Sequence, residues 1–269
     1  MSAVKAKSVA TYLIAGNALF TRATALIFIC LPVGMQAEEA PVSHVSTALQ
    51  AFSSAAEGVP PSPWRLVGLP GNTRKPLTQF DIVQLGGEKV LRVHADHSYA
   101  NLTHDLITDK HKGHHMLSWR WRLDKPVADA DLHHKSGDDT PIKVCALFDL
   151  PLDHLGFVER NLLRLARSAS GEHLPGATLC YVWDQKLAVG TELPNAFTKR
   201  MRYLVLDSAI GPLQHWVSHT RDLNADFLHS FGSESATVPP LLAIVVGADA
   251  DNTGGTSLAY VGDVSLVEQ

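Results

Sequence analysis

The sequence lacks the short motifs that identify common enzyme classes. It has no His-Glu-x-x-His zinc pattern, no Gly-x-Ser-x-Gly elbow, no phosphate-binding loop and no dinucleotide-binding glycine fingerprint. It also has little cysteine, with three residues among 269. Because no single motif indicates a function, the inference depends on strand patterns and on groups of polar side chains.

Long apolar runs are also scarce. Three basic residues precede the apolar run Ala23–Val33, which is shorter than the roughly 20 residues of a membrane-spanning helix. The pattern predicts an export signal over residues 1–37, and therefore a periplasmic or extracellular protein. The alternative is an uncleaved N-terminal anchor that also uses residues 12–20.

The sequence has no excess of positive charge. Residues 1–37 contain three basic and no acidic residues, so the remaining chain has 20 Lys and Arg against 27 Asp and Glu, a formal charge of −7. A negative chain is not suited to bind nucleic acid as its main partner. No membrane span is expected after signal cleavage, and the composition leaves the oligomeric state open.

Strand patterns dominate the rest of the chain. In "HMLSWRWRLD", apolar residues alternate with polar ones, and "PIKVCALFDL" repeats this pattern. About ten such segments, separated by turn signals, predict an all-β fold: a two-layer β-sandwich of jelly-roll type. We expect one domain over residues 64–269, preceded by a linker over residues 38–63 with one short helical piece.

Two segments and two cysteines depart from this pattern. Helical spacing predicts an inserted amphipathic helix near 152–170, and a second, short helix is expected near 222–231. Cys145 and Cys180 both lie within predicted strands, where either a disulfide or two packed thiols would fit. The apolar stripe of the first helix consists of Leu155, Val158, Leu162, Leu165 and Ala169.

Four blocks of the sequence resemble a known family. They are "LSWRWRLDKP", "SGDDTPIKVCALFD", "CYVWDQKLAVGTELPNAFTKR" and "DADNTGGTSLAYVGDV". Together they are similar to the secreted bacterial family called domain of unknown function 3047, over roughly residues 64–268. This resemblance implies no established activity, substrate or catalytic residue. The first and last strands are also similar, more loosely, to those of galactose-binding-like jelly rolls.

The predicted strand faces indicate a binding surface. If the tryptophans of "WRWR" face the core, Arg120 and Arg122 project from the other side of the sheet, and Lys143 on a neighbouring strand could join them. Such cations suit a carboxylate or sulfate ligand, with Trp183 as a further contact. Ordinary surface ion pairs are the alternative. In the opposite register, the tryptophans would form an exposed platform for a sugar ring.

Two polar segments add further candidates for ligand binding. Asp138 and Asp139 are adjacent carboxylates before a strand, although they also suit a turn in which aspartates cap backbone amides. Asn195 and Arg200 lie on a predicted loop between strands, where binding residues of β-sandwiches commonly occur.

The stretch "GADADNTGGTSLAYVGD" is the candidate metal loop. Asp249, Asp251 and Thr253 place oxygen atoms at alternate positions, but Tyr260 stands where a calcium loop needs a bidentate Glu. Asp263 could join from the following strand. Three interpretations remain open: a structural calcium site, a ligand-contacting loop, and a hairpin turn without a cofactor.

These observations favour a non-enzymatic function. We expect an exported protein that binds a glycan or another polar or anionic ligand of the cell envelope. The alternatives are a carbohydrate-active hydrolase or lyase that uses the Asp138 and Asp139 region, and an envelope interaction protein without a small ligand.

Overall fold

The computed structural model describes residues 49–69, 74–106, 113–170 and 174–268. They belong to one compact unit that runs from Val45 to Gln269. The predicted signal segment, the preceding part of the predicted linker and the remaining gaps lie outside the described residues. No helix in the described ranges is long and apolar enough to cross a membrane.

The chain forms two β-sheets that pack face to face, as predicted for a jelly-roll sandwich. The seven-stranded sheet has the order β1-β4-β11-β6-β7-β9-β8, and comprises β1 (Arg65–Val67), β4 (Tyr99–Asp105), β6 (Lys143–Phe148), β7 (Ala177–Asp184), β8 (Glu192–Pro194), β9 (Met201–Ser208) and β11 (Leu241–Asp249). The six-stranded sheet has the order β10-β5-β12-β3-β2 with β13 also paired to β5, and comprises β2 (Gln79–Leu85), β3 (Glu88–Asp96), β5 (His115–Lys125), β10 (Val217–Asp222), β12 (Thr256–Val261) and β13 (Ser265–Glu268).

The alternation of apolar and polar residues along β5 determines which of its side chains lie on the inner face of the six-stranded sheet. Leu117, Trp119, Trp121 and Leu123 are all buried, which confirms the predicted register and excludes an exposed tryptophan platform. The ring of Trp119 lies 5.2 Å from that of Tyr181 on the opposite sheet. Each buried aromatic side chain stabilises the fold by roughly 1.5–3 kcal/mol through its removal from water.

The seven-stranded sheet is buried on much of its outer face, the face directed away from the six-stranded sheet. A second apolar cluster there includes Leu132, Tyr203 and Val205. Consequently every residue of β7 is buried, whichever face it occupies. Cys145 and Cys180 lie directly opposite each other in this cluster and form a disulfide, so the thiol alternative does not apply.

The described part of the predicted linker, residues 49–63, packs against the sandwich. Phe52 is fully buried and its ring lies 5.1 Å from that of Trp64. Trp64 Nε1 donates to the carbonyl of Gln50 at 2.8 Å, and Gln50 N lies 3.4 Å from His104 Nε2. Within the described residues, the expected helical piece is only a turn over residues 52–55, where Phe52 and Ala55 are buried against the core.

Both helices form, with shorter bounds than expected for the first. α1 (Phe157–Ser170) begins two residues after the extended Leu155, and a short 3-10 turn covers Leu152–His154. Leu155 is buried, whereas Val158, Leu162 and Leu165 are exposed. α2 (Leu223–Phe231) is capped by Asp222, whose side chain accepts bonds from the amides of residues 224 and 225.

We predict that the disulfide is a major contributor to stability. Its cysteines are separated by 35 positions, a span that contains α1. Loss of the cross-link in a Cys145→Ala, Cys180→Ala variant should lower the free energy of unfolding by about 4 kcal/mol, because a longer closed loop restricts the unfolded chain more. Urea denaturation measures this value, with reductant-treated wild type as the control. An unchanged unfolding midpoint would contradict the prediction.

Candidate functional site

An open groove of about 780 Å³ crosses the outer face of the seven-stranded sheet. We call it the outer-face groove. It runs from residues 66–69 beside β4 to Leu174 and Pro175, which precede β7. Its floor is formed by outward-facing side chains of β4, β11 and β6, including Tyr99, Asn101, Thr103, Lys143, Cys145, Ala243 and Val245.

The strand register divides the groove into two ends. Asn101 and Lys143 both pair with Gly247, so they define a polar end. At the other end, Ala243 pairs with Asp105 and Leu147. The lining of this second end contains the apolar residues Leu106, Leu147, Leu174, Pro175 and Leu242, together with the carboxylates of Asp105 and Asp149. The groove therefore offers hydrogen-bonding groups at one end, and apolar contact beside two carboxylates at the other.

Gly247 makes the polar end possible. A Cβ atom at this position would lie 2.3 Å from Asn101 Oδ1 and 2.9 Å from Lys143 Cε. Only glycine leaves room for both side chains to cross the strand here. Asn101 Nδ2 donates to the hydroxyl of Tyr99 at 3.0 Å, while Asn101 Oδ1 is buried and has no hydrogen-bond partner among the described residues.

A buried ion pair fixes the lysine at this end. Lys143 Nζ lies 2.9 Å from Asp249 Oδ2, and both side chains are almost fully buried. Burial alone, the largest single influence, lowers the pKa of Lys143, but the charge of Asp249 and its hydrogen bond, together with Tyr99 and Asp138, outweigh it and raise the pKa above the ordinary value. Asp249 Oδ1 also accepts bonds from Thr140 N and Oγ1, at 2.7 and 2.5 Å. The lysine is therefore a charged, positioned group.

The loop before β6 is joined to the turn after β11 through Asp139. Its carboxylate accepts bonds from the amides of Asn252 and Thr253, and from Thr253 Oγ1 at 2.6 Å. Gly254, with φ of 67°, allows the turn. This turn is not a hairpin: β11 belongs to the seven-stranded sheet and β12 to the six-stranded sheet, so the chain changes layers here.

The acidic cluster is smaller than the predicted calcium loop and differs in composition. Oxygen atoms of Asp139, Asp249 and Asp251 lie within 4.8 Å of one another, and this cluster could hold a metal ion. Thr253 donates its hydroxyl to Asp139. Asp263 lies elsewhere, because it follows β12 and accepts bonds from Ser53 N and Oγ. Lysines already supply counter-charges, Lys143 to Asp249 and Lys75 to Asp251.

Asp138 lies beside this network and binds a proton more tightly than an ordinary aspartate. Tyr203 donates to one carboxylate oxygen at 3.1 Å, and Asn195 Nδ2 to the other at 2.5 Å. Burial, and then the charge of Asp249, raises the pKa of Asp138 to about 6. The structure thus unites Asp138, Asp139 and Asn195 with Lys143, although neither aspartate lines the groove.

The predicted group of surface cations does not form. Arg120 and Arg122 lie on the outer face of the six-stranded sheet, where Arg120 pairs with Glu88 and Arg122 with Asp124 at 2.7 Å. Lys143 belongs to the other sheet, because β5 and β6 are successive in the chain but join different layers.

The other two predicted contacts are also placed apart from the groove. Trp183 is buried on the inner face of β7 and belongs to the main core. Arg200 forms ion pairs with Glu234 at 2.5 Å and with Glu159 at 3.4 Å. These ion pairs connect Arg200 to α1 and to the turn that follows α2.

Sequence reasoning missed Tyr99, Asn101, Thr140 and Tyr203. A signal for the first two was present, since "YANLTHD" alternates Tyr99, Asn101, Thr103 and Asp105 with residues that face inward. No pattern in the sequence connects Tyr203 to Asp138, because the contact joins residues 65 positions apart.

The fold and the site define a jelly-roll β-sandwich with a ligand-sized groove on one outer sheet face. The chain belongs to the family described as "Protein of unknown function (DUF3047)", whose family model matches residues 62–265. None of the curated proteins matches it at a significant level.

Solved structures resemble the chain at low identity. Endoglucanase 3 of Trichoderma harzianum, from family GH12, is 8% identical, covers 78% of this chain and 100% of its own, and has a TM-score of 0.36. The xyloglucanase domain of NopAA from Sinorhizobium fredii, in complex with cellobiose, is 9% identical, covers 83% and 98%, and has a TM-score of 0.39. At these TM-scores, neither likeness carries a functional argument.

We predict that Asp138 makes stability depend on pH. Its pKa is raised above the ordinary 3.8, so its contribution to stability is fully present below about pH 4 and is lost as the pH rises through about 6. Between pH 4 and 7, Asp138→Asn should gain roughly 3 kcal/mol relative to wild type in urea denaturation. The exposed Asp129→Asn is the control. Parallel pH profiles for wild type and Asp138→Asn would contradict this assignment.

We predict only a small effect of calcium. The oxygens of Asp139 and Asp249 already accept bonds from protein donors, and calcium requires six to eight oxygen ligands. The thermal unfolding midpoint measured with calcium should differ from the midpoint measured with chelator by less than about 3 °C. A larger rise that disappears in Asp251→Asn would instead establish a structural cation at the cluster.

Proposed function

We propose that the exported chain binds a glycan, or a similar extended polar ligand, in the outer-face groove. The observation that supports this proposal is the groove itself, in which Lys143 and Asn101 form the polar end and apolar side chains line the end beyond Ala243. Its volume of about 780 Å³ lies within the range of roughly 300–1,000 Å³ that is typical of small-molecule sites.

The chemistry of the lining supports this ligand class. Sugars present hydroxyl groups that both donate and accept hydrogen bonds, and they also present C–H faces that contact apolar side chains. The groove provides Lys143 as a donor, Tyr99 and Thr103 as hydroxyl groups, and leucines at the far end. Strands, rather than mobile loops, position the floor, and the predicted export signal would place the site outside the cytoplasm.

Glycoside cleavage is a second candidate function, supported by one observation. Asp105 and Asp149 both line the groove and are carried by β4 and by the end of β6, with β11 between them. Two strand spacings and an offset of two residues along the strands separate their backbones by roughly 12 Å, a span that side chains turned toward each other can shorten to the separation of two catalytic carboxyl groups. Asp105 also pairs with Arg65 at 2.5 Å, and Asp149 lies 4.0 Å from Arg167.

Calorimetric titration with neutral and acidic oligosaccharides tests the groove. Ala243 is a small residue of the groove floor, so Ala243→Phe should fill the cavity and weaken binding at least roughly tenfold, through the loss of contact area. Ser118→Phe is the matched control, because Ser118 lies on the outer side of the six-stranded sheet. Thermal unfolding checks that both variants fold.

The results separate the alternatives. Binding that Ala243→Phe weakens and Ser118→Phe leaves intact supports the proposal. Binding that only Ser118→Phe abolishes, or no binding to any member of the panel, overturns it. Release of new reducing ends by wild type, lost in Asp149→Asn while binding persists, would support cleavage as the function.

A further inference from the structure

Helix α1 presents its apolar side to the solvent. Phe157, Val158, Leu162 and Leu165 are 79%, 67%, 61% and 67% exposed, and Leu163 is buried. At 100° per residue, the four exposed side chains span an arc of about 140° on one side of the helix, which they share with the smaller polar residues Asn161 and Ser168. A surface helix ordinarily turns such an arc toward the core.

The polar side of α1 holds the helix to the sandwich. Arg160 donates to the carbonyls of Asp153 and Leu155 at 3.2 and 3.0 Å. Arg167 Nε donates to the carbonyl of Leu174 at 2.8 Å, in the segment that lines the apolar end of the groove. These bonds satisfy backbone carbonyls near both ends of the helix, so they fix its rotation with the apolar arc outward.

The place of α1 in the sandwich connects it to the start of the chain. The helix lies between Phe148 of β6 and Ala177 of β7, which pair with each other at one end of the seven-stranded sheet. The same end carries His104 of β4, which contacts Gln50 N. The first described residues, Leu49 and Gln50, therefore lie at the end that carries α1. The sequence before them includes the basic and apolar pattern that predicts a signal or an anchor.

The charges around α1 favour lipid head groups. Arg164 is exposed and lies close to Phe157 around the helix, at the border of the apolar arc. Glu159, the only acidic residue of the helix, pairs with Arg200. An arginine at such a border can reach phosphate groups while the apolar side chains enter the acyl region.

We propose that α1 docks onto the surface of a lipid bilayer with its apolar arc embedded in the interface. The helix has 14 residues, three of them arginine, together with phenylalanine and leucines on the other side, which is the pattern of interfacial helices. Docking also brings the apolar end of the outer-face groove close to the membrane. The inference is independent of the ligand proposed for the groove.

A fluorescent label measures the depth of α1 directly. The full chain, with Cys30→Ser to remove the cysteine outside the disulfide, carries an environment-sensitive dye at Leu162→Cys or, as a control, at Ser118→Cys. Vesicles of equal parts phosphatidylcholine and phosphatidylglycerol contain a quencher on the acyl chains. We expect quenching at position 162 and none at position 118. Residues 1–48 could themselves hold the chain on vesicles, so co-sedimentation would not report the docking of α1. The quenching of the dye, which reports its depth in the bilayer, is therefore the deciding measurement.

A second substitution separates docking from simple proximity. Leu165→Glu, added to the chain labelled at position 162, should reduce quenching at least threefold because a charge enters the apolar arc. Leu228→Glu on α2 is the matched control, since Leu228 is a partly exposed leucine outside α1. Absence of quenching at position 162 overturns the proposal. The proposal is also overturned if the chain self-associates in the absence of lipid and Leu165→Glu abolishes that association, because a second copy of the chain would then cover the apolar arc.

Discussion

The buried ion pair between Lys143 and Asp249 is the interaction on which the outer face of the seven-stranded sheet depends. It joins β6 to β11, and Asp249 simultaneously holds the amide and hydroxyl of Thr140. Removal of one partner from such a pair typically costs 3–5 kcal/mol, because the other charge remains buried without compensation. The loop before β6 is therefore fixed by the same carboxylate that positions the lysine.

The polar end of the groove follows from this pair. Gly247 leaves the space in which Lys143 crosses the sheet toward Asn101 and Tyr99. Asp138, with its raised pKa, borders the same charges and bonds to Tyr203. A site built in this way on paired strands is held more precisely than one built on loops, which suits recognition of a ligand along the groove.

The groove and α1 share one end of the sandwich. Arg167 bonds to the carbonyl of Leu174, whose side chain lines the apolar part of the groove. The segments that precede and follow α1 belong to adjacent strands, so the helix is placed by the disulfide-bonded strand pair β6 and β7. A binding groove and an interfacial helix at one end would allow recognition of a ligand close to a membrane.

The sequence by itself determined which face of β5 is buried and the existence of two helices. Period-two alternation reports the burial of a face, but it does not report which sheet a strand joins. Only the tertiary structure therefore separated Arg120 and Arg122 from Lys143, and brought Asp138 to Asn195. Helical spacing likewise defined the apolar stripe of α1. Its outward direction was decided by arginine bonds to backbone carbonyls that exist only in the folded chain.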